Sequence, residues 1–237
     1  MICVRYKKQN IHNNLIMDNL NSIFDDIYRK HTWGYFEGNG SGDGSEPENT
    51  EELQVILIDL MKSLSCSSII DSPCGACKWT YQFIDKCSKE IPQFKYFGID
   101  ISSIAISKAR LQLKHFEDIV NIEHKDMCTD VLPVGYDIIL CRDALQHLSQ
   151  NNIFAAIKNF TSTDAKWIIL GGYPQGKNEN IVDGEYFDFN PVAYPYNLKP
   201  SMIIDEKHKL QKKSNKHLFV FNIKYLRNAV KQFGNIL

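Results

Sequence analysis

Four acidic residues sit at or just after the ends of short apolar runs. Asp71 follows Ile69 and Ile70, Asp100 follows Phe94 to Ile99, Asp126 follows Val120 to Glu123, and Asp143 follows Tyr136 to Cys141. Short apolar runs of this kind read as buried strands, and α/β folds bind ligands at the carboxyl ends of parallel strands near a switch point. A carboxylate after the second strand can accept both ribose hydroxyls of a nucleoside. One after the third can accept an adenine amino group, and one after the first suits a ligand carrying positive charge. Together they describe a nucleoside ligand that is not a pyrophosphate.

The first of these ends is the stretch Ser67 to Trp79, SSIIDSPCGACKW. A strand breaks there into a small-residue turn, Ser72 to Cys77, and then a helix whose N-terminus offers free N–H groups. The dinucleotide fingerprint G-x-G-x-x-G is absent, because Gly75 is the only glycine in the turn. Cys74-x-x-Cys77 also suits a redox motif at a helix N-terminus, though the later strand–helix units exceed a thioredoxin core. No second C-x-x-C or His pair stands at a spacing that would complete a zinc site. His147 follows Asp143 by four residues, a spacing that places both on one face of a helix. A His near its ordinary pKa can serve as general base for a hydroxyl; a packed helix His with one hydrogen bond accounts for it equally well. Arg142 could bind a substrate carboxylate, but pairing with Asp143 is the better account.

Strands alternating with helices must position these groups. Residues 15 to 30 carry Leu15, Ile16, Leu20, Ile23, Phe24, Ile27 and Tyr28 at helical spacing, which suits a helix packed on the core better than a lid or dimer face. Residues 33 to 50 hold five of the 13 glycines, but Trp33, Tyr35 and Phe36 favour an ordered loop over a spacer. The spacing then predicts a helix from Thr50. Strands follow at about 67 to 71, 94 to 99, 120 to 123, 136 to 141 and 167 to 170. Helices are predicted at 78 to 87, after a Ser102 or Ser103 cap, and near 153 to 160. Residues 173 to 200, rich in Tyr, Pro, Asn and Phe, read as a long functional loop. Two strands at 201 to 204 and 217 to 221, joined by a charged turn, suit an antiparallel pair, and 223 to 233 suits a last helix. The alternation implies a parallel sheet with right-handed crossovers.

Composition sets bounds. The chain has 237 residues and a net charge of -1, enough for a full core and without the global basic field that would imply nucleic acid. Lys207, Lys209, Lys212, Lys213 and Lys216 crowd one stretch, which reads as a solvated hairpin tip. Seven cysteines, several of them in apolar contexts, suit a reducing, cytoplasmic setting. No run approaches the length of a membrane span, and the N-terminus lacks the apolar core of a signal peptide.

Taken together, the motifs resemble those of class I S-adenosylmethionine-dependent methyltransferases. The resemblance rests on Asp71-Ser72-Pro73-Cys74-Gly75-Ala76-Cys77 followed by Trp79, with Pro73 and Cys77 where glycines usually sit. D-x-P-C-G followed by Trp is habitual in one subgroup. Ser41-Gly42-Asp43-Gly44-Ser45, the run Leu140 to Ser149 (LCRDALQHLS), and Asn180 to Gly184 with Asn190, Pro195 and Asn197 are similar to that subgroup too. The resemblance implies a Rossmann-like sandwich with a mostly parallel seven-stranded sheet, an antiparallel last strand and helices on both faces. It implies a domain over 33 to 237 after a helical extension at 1 to 32, with a cofactor-closing loop at 33 to 50 and an acceptor-side loop at 173 to 200.

It further implies S-adenosylmethionine as cofactor, with no metal. Asp71 and Gly75 would line its methionine part, Asp100 would hold the ribose, Asp126 and Met127 the adenine, and Pro73, Trp79 and Ile101 would also bind the cofactor. Cys141 to Asp143 would face the sulfonium region, with the cofactor-binding Trp33 and Ser41 on the closing loop. His147 and Asp143 would assist deprotonation, and Tyr173, Asp183, Tyr186 and Asn190 would line an acceptor pocket. The acceptor expected is a hydroxyl of a small molecule or glycan. RNA or protein acceptors, and a non-catalytic binding protein, are the alternatives.

Overall fold

The computed structural model describes residues 20–33, 40–207 and 215–231. Seven strands form one sheet in the order β3-β2-β1-β4-β5-β7-β6. They are β1 (Ser68–Asp71), β2 (Lys95–Asp100), β3 (Val120–His124), β4 (Ile138–Cys141), β5 (Trp167–Gly172), β6 (Met202–Asp205) and β7 (His217–Asn222). β1 pairs in parallel with both β2 and β4, so the switch point lies between β1 and β4. β7 runs antiparallel to both β5 and β6. The expected sheet, with its antiparallel last strand, is thus present. No helix among the described residues is long and apolar enough to cross a membrane.

β1, β2, β4, β5 and β7 read as nearly unbroken apolar runs because both faces are covered, and alternation divides each run between two cores. Ile70, Ile139, Ile168, Phe219 and Phe221 pack on one side with α5 (Gln150–Phe160) and α6 (Ile223–Ala229). Ile69, Ile138, Ile169, Leu218 and Val220 pack on the other with α2 (Pro47–Ser63), α3 (Thr80–Glu90) and α4 (Ser103–Gln112). Each such side chain contributes roughly 1.5–3 kcal/mol by leaving water. α1 (Leu20–Lys30) stands outside these layers and packs on α4: Asp25 accepts from Ser102 Oγ at 2.6 Å and Ser103 Oγ at 2.8 Å. Positions 15 to 19 of the expected helix lie outside the described residues.

Several boundaries differ from the sequence expectation. α2 begins at Pro47 rather than Thr50, because proline suits the first helical position, where no N–H is needed. Thr50 is buried within the first turn and donates to Pro47 O at 3.0 Å. α5 begins at Gln150, three residues before the apolar pattern. Its N-terminal donors are met from far away, Ser149 N by Asp183 Oδ1 at 2.6 Å and Gln150 N by Asn180 Oδ1 at 3.0 Å. Ser102 caps α4, accepting from Ala105 N at 3.2 Å.

Candidate functional site

The turn after β1 is tied to β2 through its backbone. Cys74 N donates to Ile99 O at 2.7 Å, and Gly75 N donates to Asp100 Oδ2 at 2.9 Å. Asp100 Oδ1 accepts from Ser102 N at 2.8 Å. Each Asp100 oxygen so keeps a lone pair for a ligand. Burial pushes the Asp100 carboxyl up to about 6, against the pull of the Ser102 and Gly75 N–H groups. Asp71, at the end of β1, accepts from Tyr96 OH at 2.7 Å, and burial pushes its carboxyl up to about 7. Two buried carboxylates that line the cleft and keep spare lone pairs can accept from a polar ligand.

Gly75 has φ +58°, and a Cβ there would come within 3.0 Å of Ser41 Oγ and 3.1 Å of Tyr28 OH. The turn therefore needs glycine both for its backbone and for its neighbours. Cys77 adopts φ +54° without a glycine, so the departure from the usual glycine pattern leaves the turn intact. Ser41 Oγ accepts from Ala76 N at 3.2 Å and bonds Tyr28 OH at 2.8 Å, which fastens α1 and the 41–45 loop to the turn.

These groups open into one cleft of about 890 Å³, counting its open mouth. Of the residues expected at a cofactor, Trp33, Ser41, Asp71, Pro73, Gly75, Trp79, Asp100, Ile101, Asp126, Met127 and Arg142 line it, and so do Asp143 and His147. Asp126 is held by Cys128 N at 2.7 Å on Oδ1 and Thr129 Oγ1 at 3.0 Å on Oδ2. Cys141 is the exception. Its place in the strand alternation turns it to the α5 side of the sheet, where it is buried in the core and does not reach the cleft.

The far wall is ionic. Arg142 Nη1 lies 2.9 Å from Asp143 Oδ2 and donates to Gly44 O at 3.0 Å. Its Nε and Nη2 donate to Glu206 Oε2 at 3.1 and 2.9 Å. Its guanidinium lies 5.9 Å from the Trp79 ring centre. Lys216 Nζ donates to Asp143 Oδ1 at 2.5 Å. Burial pushes the Asp143 carboxyl up, but Arg142 and Lys216 together pull it far below the usual carboxylate range. Asp143 has φ +54°, a left-handed backbone that Asp tolerates better than most residues. It is followed by a 3-10 turn, Leu145 to His147, and not by an α-helix. Asp143 and His147 therefore do not share a helix face as their spacing suggested.

His147 is held by an aromatic stack. Its ring lies 4.3 Å from Trp33, nearly parallel, and 5.5 Å from Tyr186. Its Nδ1 donates to Glu185 O at 2.9 Å, since a carbonyl can only accept. Burial holds its pKa below the ordinary value, partly offset by that hydrogen bond.

The late loop has no helix or strand between 173 and 200. Asp183 caps α5 and also accepts from Asn152 Nδ2 at 2.9 Å. Asn190 donates to Pro174 O at 2.9 Å and accepts from Val192 N at 3.1 Å, so it too braces the loop. Tyr186 OH donates to Asp188 at 2.6 Å. Tyr173 is anchored by its backbone N to Phe189 O at 2.7 Å. None of the four lines the cleft.

Among the residues at or behind the cleft that were not expected there, Tyr28, Lys125, Glu206 and Lys216 carry polar groups. Tyr28 was one apolar position of a helix, yet its hydroxyl reaches the turn. Lys125 lines the cleft beside Asp126. Glu206 and Lys216 flank the β6–β7 hairpin; Lys216, read as part of a solvated tip, is buried and ion-paired. Lys207 is exposed, while Lys209, Lys212 and Lys213 lie outside the described residues. The signal existed: Glu206 directly follows β6 just as the other acids follow their strands. The redox alternative loses its footing, because Cys77 and burial hold the Cys74 thiol well above its ordinary pKa.

Residues 70–163 match the model of a family described as a methyltransferase domain. A search of curated proteins found no match. Among solved structures, the chain is similar to magnesium protoporphyrin IX methyltransferase from Synechocystis PCC 6803 with bound SAM. That likeness has a TM-score of 0.56 at 13% identity and covers 90% of this chain and 98% of that one. The methyltransferase domain of bacterial CtHen1-CN is similar at TM-score 0.52 and 19% identity, over 73% and 98% of the two chains. An O-methyltransferase from a trans-AT PKS multienzyme of Brevibacillus brevis, in complex with S-adenosyl-L-homocysteine, is similar at TM-score 0.51 and 13% identity, over 76% and 78%. The fold is that of the class I methyltransferases.

Proposed function

We propose that this chain, built on the class I methyltransferase fold, binds S-adenosylmethionine in the cleft and transfers its methyl group to a hydroxyl of a small molecule or glycan. The observation that carries the reading is the pair of buried carboxylates, Asp71 and Asp100, that line the cleft at the ends of β1 and β2 beside the Gly75 turn. Asp100 has the lone pairs to receive ribose hydroxyls. Asp126 and Met127 lie where the adenine would be read. Asp71 would offer a carboxylate toward a cationic centre, and the Ser41–Ser45 loop would close over the cofactor. Bound there, S-adenosylmethionine supplies an electrophilic methyl group on a sulfonium.

The base in this reading is His147. With Nδ1 donating to Glu185 O and burial holding the ring neutral, Nε2 keeps the lone pair that can take a hydroxyl proton. Asp143 is the weaker candidate, because Arg142 and Lys216 already hold its carboxylate and leave it little proton affinity. Arg142 is occupied by Glu206, Asp143 and Gly44, which supports a role in holding the wall rather than binding a substrate carboxylate.

The test uses S-adenosylmethionine carrying a labelled methyl group, with panels of small-molecule and glycan hydroxyl acceptors. Label on a hydroxyl acceptor is expected from the parent protein. His147→Ala should lower turnover by about 100-fold or more with S-adenosylmethionine affinity unchanged. Full activity in that variant removes His147 from the mechanism, and label found only on RNA or protein overturns the acceptor class.

A further inference from the structure

Four charged side chains lie out of water where the cleft meets the ends of β4, β6 and β7. The side chains of Arg142 and Glu206 are 4% and 1% exposed, and those of Lys216 and Asp143 are 8% and 19% exposed. Two are cations and two are anions, and every contact among them is a direct ion pair: Arg142 to Glu206 at 2.9 Å, Arg142 to Asp143 at 2.9 Å, and Lys216 to Asp143 at 2.5 Å. Arg142 and Asp143 form part of the cleft wall, whereas Glu206 and Lys216 stand behind them and do not line it. The inner pair faces the ligand; the outer pair faces the inner pair.

Charges at this depth are poorly screened by salt and act through a medium far less polarisable than water. Arg142 without Glu206 would leave the wall positive. Asp143 without Lys216 would leave it negative. Either imbalance matters little to a neutral ligand but acts directly on a cationic one. This inference rests on the proposed cofactor: S-adenosylmethionine carries a sulfonium, while its demethylated product has the same amino-acid and nucleoside parts and no charge on sulfur. We propose that Glu206 and Lys216 are specificity-determining residues whose opposed buried charges act on the ligand through the Arg142–Asp143 wall. Glu206 favours the cationic methyl donor over the neutral product, Lys216 disfavours it, and the two offset each other.

The experiment is calorimetric titration with S-adenosylmethionine and with S-adenosylhomocysteine at pH 7.5 and low salt. It compares the parent with Glu206→Gln, Lys216→Met and the double variant. Glu206→Gln is expected to lower the donor-over-product affinity ratio by about 5-fold or more, and Lys216→Met to raise it by a similar factor. The double variant, neutral again, should return to within about 2-fold of the parent. A purely structural role would weaken both ligands together and leave the ratio in place, so product affinity is the internal control. Lys216→Arg keeps the charge and should keep the ratio.

If Glu206→Gln does not fold, Lys216→Met decides alone, because Met is flexible, of similar length and suited to a buried position. A ratio unmoved by Lys216→Met, or moved in the same direction by both single variants, overturns the proposal. Failure of the parent to bind either ligand would instead strike the cofactor reading on which it rests.

Discussion

On the β1–β2 side of the cleft, Asp100 is held by backbone N–H groups, one of them only two residues away, and Asp71 by a side chain on the adjacent strand. On the β4–β7 side, Arg142 and Asp143 are held by side chains 64 and 73 residues further along the chain. The first region is a turn whose own sequence shapes it. The second exists only once the β6–β7 hairpin has docked against β5. Two halves of one cleft therefore differ in what breaks them: local changes for the first, loss of a distant partner for the second.

The sharpest break is Arg142→Met. It leaves Glu206 buried without its cation and frees Gly44 O, and removing one member of a buried ion pair costs roughly 3–5 kcal/mol. Urea unfolding should show a loss of that order; a loss under about 1 kcal/mol would mean that the distant partners do not hold this half.

The carboxylates of the first half make an opposite test, by pH. Asp71 and Asp100 have folded pKa values raised by burial to about 7 and about 6, above the ordinary 3.8. Such groups favour the folded state fully below about pH 4, and the contribution is lost as pH rises through 6 and 7. The expected outcome is a fall in unfolding free energy over that window, reduced in Asp71→Asn. Asp143 runs the other way: its depressed carboxyl contributes stability above about pH 4 that is lost progressively as the pH falls into strong acid. An Asp71→Asn profile identical to the parent's would remove this distinction.

Gly75→Ala probes the turn itself. The left-handed backbone at φ +58° and the approach to Ser41 and Tyr28 should cost about 1–3 kcal/mol in stability. An unchanged denaturation midpoint would show that the turn is not confined as described. The smallest effect is expected at Asp183→Ala, which uncaps α5 and should cost about 1 kcal/mol. Because Asp183 stands outside the cleft, affinity for S-adenosylhomocysteine should stay within about 2-fold; a large loss would show that its effect reaches the cleft.

Legibility followed the same division. The strands at Ile69–Ile70, Phe97–Ile99 and Ile139–Leu140 were plain because burial on both faces leaves unbroken apolar runs, and an acid at each end marked the cleft. The sheet and its antiparallel β7 followed from the strand–helix alternation and the short connection before it. Cys141 was misplaced because an unbroken run does not show which side chains point to which face. Lys216 was misread because five lysines near a turn look solvated until Asp143, 73 residues away, is seen beside one of them. Asp183 and Asn190 were read as acceptor residues because a polar loop residue that caps a distant helix or braces its own loop has the same sequence signature as one that touches a ligand.

The central claim is that the carboxylates of the β1–β2 half hold an S-adenosyl nucleoside. Calorimetric titration of the parent protein and of Asp100→Ala with S-adenosylhomocysteine tests it most directly. Binding by the parent, weakened about 100-fold by the loss of a charged acceptor of two hydroxyl hydrogen bonds, is the predicted result. No binding by the parent, or equal binding by a folded Asp100→Ala, would contradict it.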